Sequence, residues 1–180
     1  MNKTHYTQEK GFALLLALII SSIVLSIGLS MLHITLKQLA LGTTTKSSEI
    51  AFQVASAGME CLRYIRNDQS SEMYAGNDVA VECLGGQPSM SNTGDTGPNP
   101  QHTIYRDATM DWNGSCIDIE MHLLNASGGA ITYTFGTVGT KTCGAGDVCT
   151  FGFVRGSNRS CGSVAAGSIF TVQRELTVEF

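Results

Sequence analysis

The chain has 180 residues, 14 % of them charged, with 20 glycines and a formal net charge of −4. That length accommodates one domain plus additions rather than two full domains. Beyond residue 70 there are 11 acidic and 5 basic residues, which argues against a nucleic-acid reader, since such proteins carry a basic stripe. Arg155 and Arg159 in "VRGSNRS" are the only close basic pair of that region and read as a solvated loop.

In chain order, residues 1–11 are polar and include Lys3 and Lys10. Residues 11–36 then contain no Asp, Glu, Lys or Arg, an uncharged span of 26 residues. As a helix this crosses the ~30 Å hydrocarbon core of a bilayer. A secretory signal peptide has a shorter apolar core of roughly 7–15 residues, followed by a small-residue cleavage site. Nothing of that kind follows Leu36, so the segment is expected to stay with the protein.

Residues 12–67 read as one helix of 56 residues, about 84 Å long at ~1.5 Å per residue. The first half is apolar all round, as a membrane helix is. In the second half Ala51, Ala55, Gly58, Leu62 and Ile65 recur at spacings of three and four, which places them on one face. Several are small, so another element can approach that face closely. Between the halves, "LGTTTKSS" (41–48) combines Gly42 with three β-branched threonines. These are poor helix formers, and the stretch predicts a weak or frayed point, with an ordinary surface helix and a tolerated glycine as the alternative.

After Asp68 the apolar period changes from 3.6 to 2. "CIDIEMHLL" sets Ile117, Ile119, Met121 and Leu123 against Cys116, Asp118, Glu120 and His122. "AITYTF" places Ile131, Tyr133 and Phe135 on one face, and "FTVQRELTVEF" does so for Phe170, Val172, Leu176, Val178 and Phe180, interrupted by Arg174. These predict strands of a sheet with one buried face, and the amphipathic half of the long helix is available to cover it. "DVAVECL" and "HTIYR" are further strand candidates. Residues 85–100 hold all three prolines and read as an exposed loop.

Cys61, Cys83, Cys116, Cys143, Cys149 and Cys161 all lie beyond the apolar span. An even number on one side of a membrane anchor points to disulfides in an oxidising compartment. A zinc site shows tighter pairs such as C-x₂-C, whereas five residues separate Cys143 from Cys149. Six cysteines allow about 15 pairings.

Other motifs carry less. "GDTG" contains the triplet of aspartic proteases, but those enzymes need two such aspartates sharing a proton, and Asp95 has no such partner triplet. "CGAGDVC" offers Asp147 to a calcium ion, yet one carboxylate rarely holds calcium, and a disulfide-closed turn is the simpler reading. His102 and His122 show no arrangement for activating a nucleophile. Three Asn-x-Ser triplets match glycosylation acceptors, a pattern short enough to arise by chance. Trp112 and Tyr105 read as core residues, with an adhesive surface as the alternative.

"QEKGF" before an apolar helix, an amphipathic continuation, and a cysteine-bearing β-rich region together resemble a type IV prepilin. "AFQVASAGMECL" (51–62) is similar to the segment that follows the membrane helix in PilX-like minor pilins. The resemblance implies cutting by a prepilin peptidase between Gly11 and Phe12, with methylation of the new amine on Phe12. In physical terms, a short positive leader holds the N-terminus inside, and its removal frees an apolar helix end for bundling. Major pilins carry a glutamate at the fifth mature position, where this chain has Leu16. That carboxylate attracts a neighbouring subunit's N-terminal amine, so Leu16 implies a minor or tip subunit.

The expected architecture is therefore α+β and pilin-like: a long N-terminal helix packed on an antiparallel sheet with disulfides. Its parts are a leader at 1–11, a membrane or filament-core helix at 12–36, an amphipathic continuation at 37–68, and an exported β-rich region at 69–180. The expected pairing is Cys61–Cys83, Cys116–Cys161 and Cys143–Cys149. The expected role is non-enzymatic, a minor subunit of a pilus-like filament, with no cofactor, metal or nucleic acid. Its partners would be other pilins, the prepilin peptidase, the assembly machinery and the bacterial inner membrane, before export to a surface filament. The alternatives are a pseudopilin of a type II secretion system, or an uncleaved single-pass anchor carrying an extracellular binding region.

Overall fold

A computed structural model describes residues 9–80, 82–87, 89–93, 102–106, 109–136 and 138–180, with the side chains of the first helix described from Phe12 onward. The first helix, α1 (Glu9–Asp68), spans 60 residues. The chain divides into two compact units, one ending at Thr45 and the other comprising Lys46–Phe180.

In the first unit the side chains from Phe12 to Thr45 are all exposed. Several of their hydroxyl groups are closed onto the helix itself. Ser21 and Ser22 donate to the carbonyls of Leu18 and Ile19, and Thr35 to that of Met31, at 2.8–3.0 Å. Of the two readings of 41–48, the helix with a tolerated glycine is the one found: α1 continues through the stretch unbroken. Thr43 and Thr44 both donate to Ala40 O, and Thr45 to Leu41 O. The hydroxyls thus bond back within helical geometry instead of competing with it. The propensity cost of a few tenths of a kcal/mol per threonine does not end the helix.

The second unit is built on a seven-stranded antiparallel sheet. After α2 (Ser70–Tyr74) come β1 (Val79–Ala80), β2 (Ser89–Asn92), β3 (His102–Arg106), β4 (Met110–Trp112), β5 (Ser115–Asn125), β6 (Ile131–Phe135), β7 (Gly139–Cys143), β8 (Val148–Ser157), α3 (Cys161–Ala165) and β9 (Gln173–Glu179). The sheet runs β1-β2-β3-β5-β8-β9, with β4 pairing the start of β5, and β6–β7 form a separate hairpin. Asn113 and Gly114 join β4 to β5 with φ of 50° and 77°, the two positive values of a type I′ turn.

One sheet face carries residues 46–68 of α1. Ala51, Ala55, Leu62 and Ile65 are buried there with Ile117, Ile119, Met121 and Val154. Small residues set the spacing. A Cβ on Gly156 would fall on the backbone of Ala51 and Ala55, and one on Gly58 would lie 2.7 Å from both Ile117 Cγ2 and Val154 Cγ1. Strand β8 runs antiparallel to the helix: Gly156 lies at Ala51 and Ala55, Gly152 at Leu62, and Thr150 accepts a hydrogen bond from Arg66.

The other face differs from expectation. Alternation assigns Cys116, Asp118, Glu120 and His122 to solvent, yet the β6–β7 hairpin covers part of that face. A second core forms there from Leu124, Ile131, Phe135, Cys143, Phe151 and Phe153, among others. The sheet is consequently buried on both sides along the C-terminal half of β5, and a period-two pattern with polar alternates does not report that.

Three further expectations are corrected. Part of 85–100 is β2, with Met90 fully buried, because an apolar side chain at a strand register outweighs the surrounding turn residues; 94–100, including Asp95, lie outside the described residues. Arg155 is within β8, held by Asp118 and Glu175 at 2.9 and 2.7 Å, and is no loop residue. Phe170 precedes β9 and is 68 % exposed, since β9 is an edge strand whose apolar face is only half covered.

Disulfides join Cys61 to Cys83, Cys116 to Cys161 and Cys143 to Cys149, the same three pairs as expected. The first ties α1 to the segment after β1, the second ties β5 to α3, and the third closes the β7–β8 turn.

Candidate functional site

Two features stand out, one in each unit. In the first, Gly11 lies within α1, and Phe12 and Leu16 are exposed on it. Eighteen large apolar side chains from Phe12 to Leu41 are exposed, distributed all round the helix. Each leaves roughly 1.5–3 kcal/mol of transfer free energy unrealised in water. Such a surface suits an apolar environment better than water. Among the described residues one helix is long and apolar enough to cross a membrane, which is consistent with a single-pass anchor.

The second feature is a polar cleft of about 380 Å³ on the sheet face away from α1, lined by residues that include Arg106, Glu120, His122, Tyr133 and Arg155. Strands β3 and β5 supply part of its wall, and β6, β8 and β9 most of the rest. His102 lies opposite Leu124, so it reaches His122 as a diagonal neighbour on the same face. His102 Nε2 and His122 Nδ1 are 2.9 Å apart, and His122 Nε2 is 2.7 Å from Glu120 Oε1. A carboxylate only accepts, so His122 carries its proton on Nε2 and its Nδ1 accepts from His102 Nε2–H. Arg106 adds a 3.1 Å bond to Glu120 Oε1, and Arg155 lies 3.7 Å from Oε2. Tyr133 tilts over His102, with ring centroids 4.2 Å apart, and Phe135 meets His122 edge-on.

Burial pushes the His122 imidazole down from its ordinary range, against the opposing pull of Glu120. Burial pushes Glu120 up, but hydrogen bonds from His122 and Arg106, together with their charges, outweigh it and hold the carboxyl below its ordinary range. For Arg155, burial works downward, and the bonds to Asp118 and Glu175 raise the group overall. The result is a fixed chain of charge and hydrogen bonds. Glu120 is held as an ionised acceptor, so the network links β3, β5 and β8 and does not present a free acid.

The structure brings His102 and His122 together, which single-residue reasoning did not anticipate. The signal available was the adjacency of Glu120 and His122 on one face of β5; nothing in the sequence gives the register that brings His102 to them. Tyr105 is fully buried and donates to Met73 O, and Trp112 is half-buried against the same core. Asp147 sits in the turn closed by Cys143–Cys149, where its N–H donates to Gly144 O.

Comparison with protein-family models, with curated proteins and with solved structures finds no match.

Proposed function

We propose that this chain is a minor subunit of a type IV pilus-like filament, inserted in the bacterial inner membrane by α1 and assembled after cutting between Gly11 and Phe12. The observation that supports this reading most is the division of one continuous helix. Its first part is apolar and exposed on every side from Phe12 to Leu41, and its continuation from Lys46 buries one face, with Ala51, Ala55, Leu62 and Ile65, against a disulfide-tied sheet. One helix of this kind serves first as a membrane anchor and then as the packing element of a filament core. The role needs no chemistry from the cleft, whose carboxylate is already committed to His122, Arg106 and Arg155.

Leu16 gives the reading its minor-subunit character. A buried carboxylate costs several kcal/mol unless it is paired, so in the family the pairing selects one docked register. Leu16 leaves only non-directional packing, which is weak between helices in lipid. Quantitative mass spectrometry of sheared filaments tests this. The unaltered chain is expected at low stoichiometry, and Leu16→Glu is expected to raise its share of the fibre. An unaltered chain that dominates the filament overturns the minor-subunit reading.

A further inference from the structure

We infer that the cleft between the sheet and the β6–β7 hairpin is a binding site for a neutral sugar ring. The inference concerns the second unit alone and is independent of what the first helix does. The cleft's volume of about 380 Å³ lies at the small end of the ~300–1,000 Å³ of small-molecule sites.

The two oxygens of Glu120 differ. Oε1 accepts from both His122 Nε2–H and Arg106 Nη2–H, at 2.7 and 3.1 Å. Oε2 accepts no hydrogen bond among the described residues, with Arg155 Nη1 3.7 Å away. A carboxylate oxygen offers two lone pairs, so an ionised acceptor on a side chain only 13 % exposed is left for a ligand. Donors stand beside it. Arg155 spends Nε on Glu175 and Nη1 on Asp118, while Arg106 spends Nη2 on Glu120. Each guanidinium therefore keeps N–H groups with no protein acceptor among the described residues.

The charges select a neutral ligand. Those that line the cleft, or bond to one that does, are Arg106 and Arg155 against Asp118, Glu120 and Glu175. An anion placed on either arginine would meet the carboxylates already paired there. A cation placed on Glu120 Oε2 would sit beside the Arg155 guanidinium, 3.7 Å from that oxygen. A hydroxyl satisfies both neighbours without charge: its O–H donates to Oε2 while its oxygen accepts from an arginine N–H. Hydrogen bonds to charged groups are the stronger kind.

The apolar wall narrows the class. Tyr133, half-buried, lies against Phe135 with centroids 4.7 Å apart, and Phe135 against Phe153 at 5.3 Å. These rings form a continuous strip beside the polar groups. A pyranose has the same division, with C–H groups on one face and hydroxyls round its edge, whereas a linear polyol lacks the flat apolar face. The site is also held ready. His102 fixes His122 and His122 fixes Glu120, through bonds of 2.9 and 2.7 Å, and Tyr133 tilts over His102. The two histidines are positioning residues, and side chains locked before binding lose little freedom when a ligand arrives.

The test uses the full chain, isotope-labelled at Ile and Val methyl groups, in a polyoxyethylene detergent that carries no sugar headgroup. Methyl shifts are followed at Ile104 and Val138, which line the cleft, and at Ile65 in the opposite core. The probes are D-glucose, D-galactose, D-mannose and N-acetyl-D-glucosamine. At least one is expected to shift Ile104 and Val138 saturably, with a Kd of about 1–10 mM, and to leave Ile65 unmoved. No saturable shift with any of the four up to about 50 mM overturns the inference, as does tighter binding of anionic N-acetylneuraminate or cationic glucosamine. Glu120→Gln puts a donor where Oε2 accepts and is expected to weaken binding about tenfold. Arg106→Gln is expected to weaken it about fivefold. The Arg106 side chain is 56 % exposed, so this variant keeps the core. Unchanged affinity in it overturns the site even where Glu120→Gln fails to fold. A methyl glycoside that binds as tightly as its free sugar marks the terminal unit of a glycan as the ligand. One that fails marks the free sugar, and both results support the site.

Discussion

Replacing Gly156 by alanine adds one methyl group where the sheet has no room for it. The new Cβ would lie 2.8 Å from Ala55 Cα and closer still to Ala55 N and Ala51 O. These are helix backbone atoms, which cannot rotate aside as a side chain does, so α1 and β8 must separate. Overpacking of this sort costs about 1–3 kcal/mol, and the rigid neighbour puts Gly156→Ala near the top of that range. Loss of backbone freedom in the unfolded chain returns about 0.4–1 kcal/mol, leaving a net loss of about 2 kcal/mol. For a unit of this size that lowers Tm by roughly 8 °C. Two other glycines calibrate the result. At Gly152 the Cβ meets the ends of Leu62 and Val178, at 2.7–3.0 Å, and these flexible tips yield, so a loss of about 1 kcal/mol or less is expected. Gly162 lies in α3 with nothing within 4 Å, and alanine there is expected to stabilise by up to about 1 kcal/mol. Near-ultraviolet circular dichroism during heating of the detergent-solubilised chain follows the packing around Tyr105 and Trp112. A Gly156→Ala variant that melts with the parent, or that is less damaged than Gly152→Ala, would refute helix packing through small residues.

Two further outcomes are expected. Serine replacement of one disulfide at a time should cost stability in the order of loop length: about 4 kcal/mol for Cys116–Cys161, about 3 for Cys61–Cys83 and about 2 for Cys143–Cys149, given sequence separations of 45, 22 and 6. Urea midpoints measured under oxidising conditions check the order, and complete alkylation of the native oxidised protein under denaturing, non-reducing conditions would contradict all three bridges. Stability should also fall in acid in two stages. The folded chain holds His122 below its ordinary 6.5, so the unfolded chain binds more protons as pH falls through that value, and stability declines until the lower folded value is passed. Glu120 is held below 4.5, so its contribution is present above that value and is lost as pH falls through the folded value. Urea midpoints between neutral pH and pH values below the carboxylate range should show both declines, with His122→Gln removing the first; an unchanged profile in that variant would contradict the assignment.

Much of the helix-on-sheet arrangement was legible because its physics is local. Ala51, Ala55, Gly58, Leu62 and Ile65 repeat at helical spacing, and Ile117, Ile119, Met121 and Leu123 repeat at strand spacing, so each surface announces its own buried face. The second core was not legible, because it depends on where the β6–β7 hairpin folds. His122 and Glu120 look like solvent-facing alternates, and only the pairing of β3 with β5 reveals that His102 closes a hydrogen-bonded chain with them. Met90 was hidden by surrounding loop-like residues for the same reason. The threonines at 43–45 misled in the opposite sense, since propensity scales do not record hydroxyls that find carbonyls one turn back. The apolar span was evident from the absence of charge over residues 11–36, whereas the exposure of Phe170 required knowing that β9 starts only at Gln173.

The central claim concerns the first helix and what is done to it. Mass spectrometry of the protein extracted from membranes or filaments, in cells that contain the prepilin peptidase, tests it most directly. The account predicts a chain that begins at Phe12, with a methyl group on the new amine. A chain that retains Met1 and runs intact through Gly11 in those fractions would contradict it.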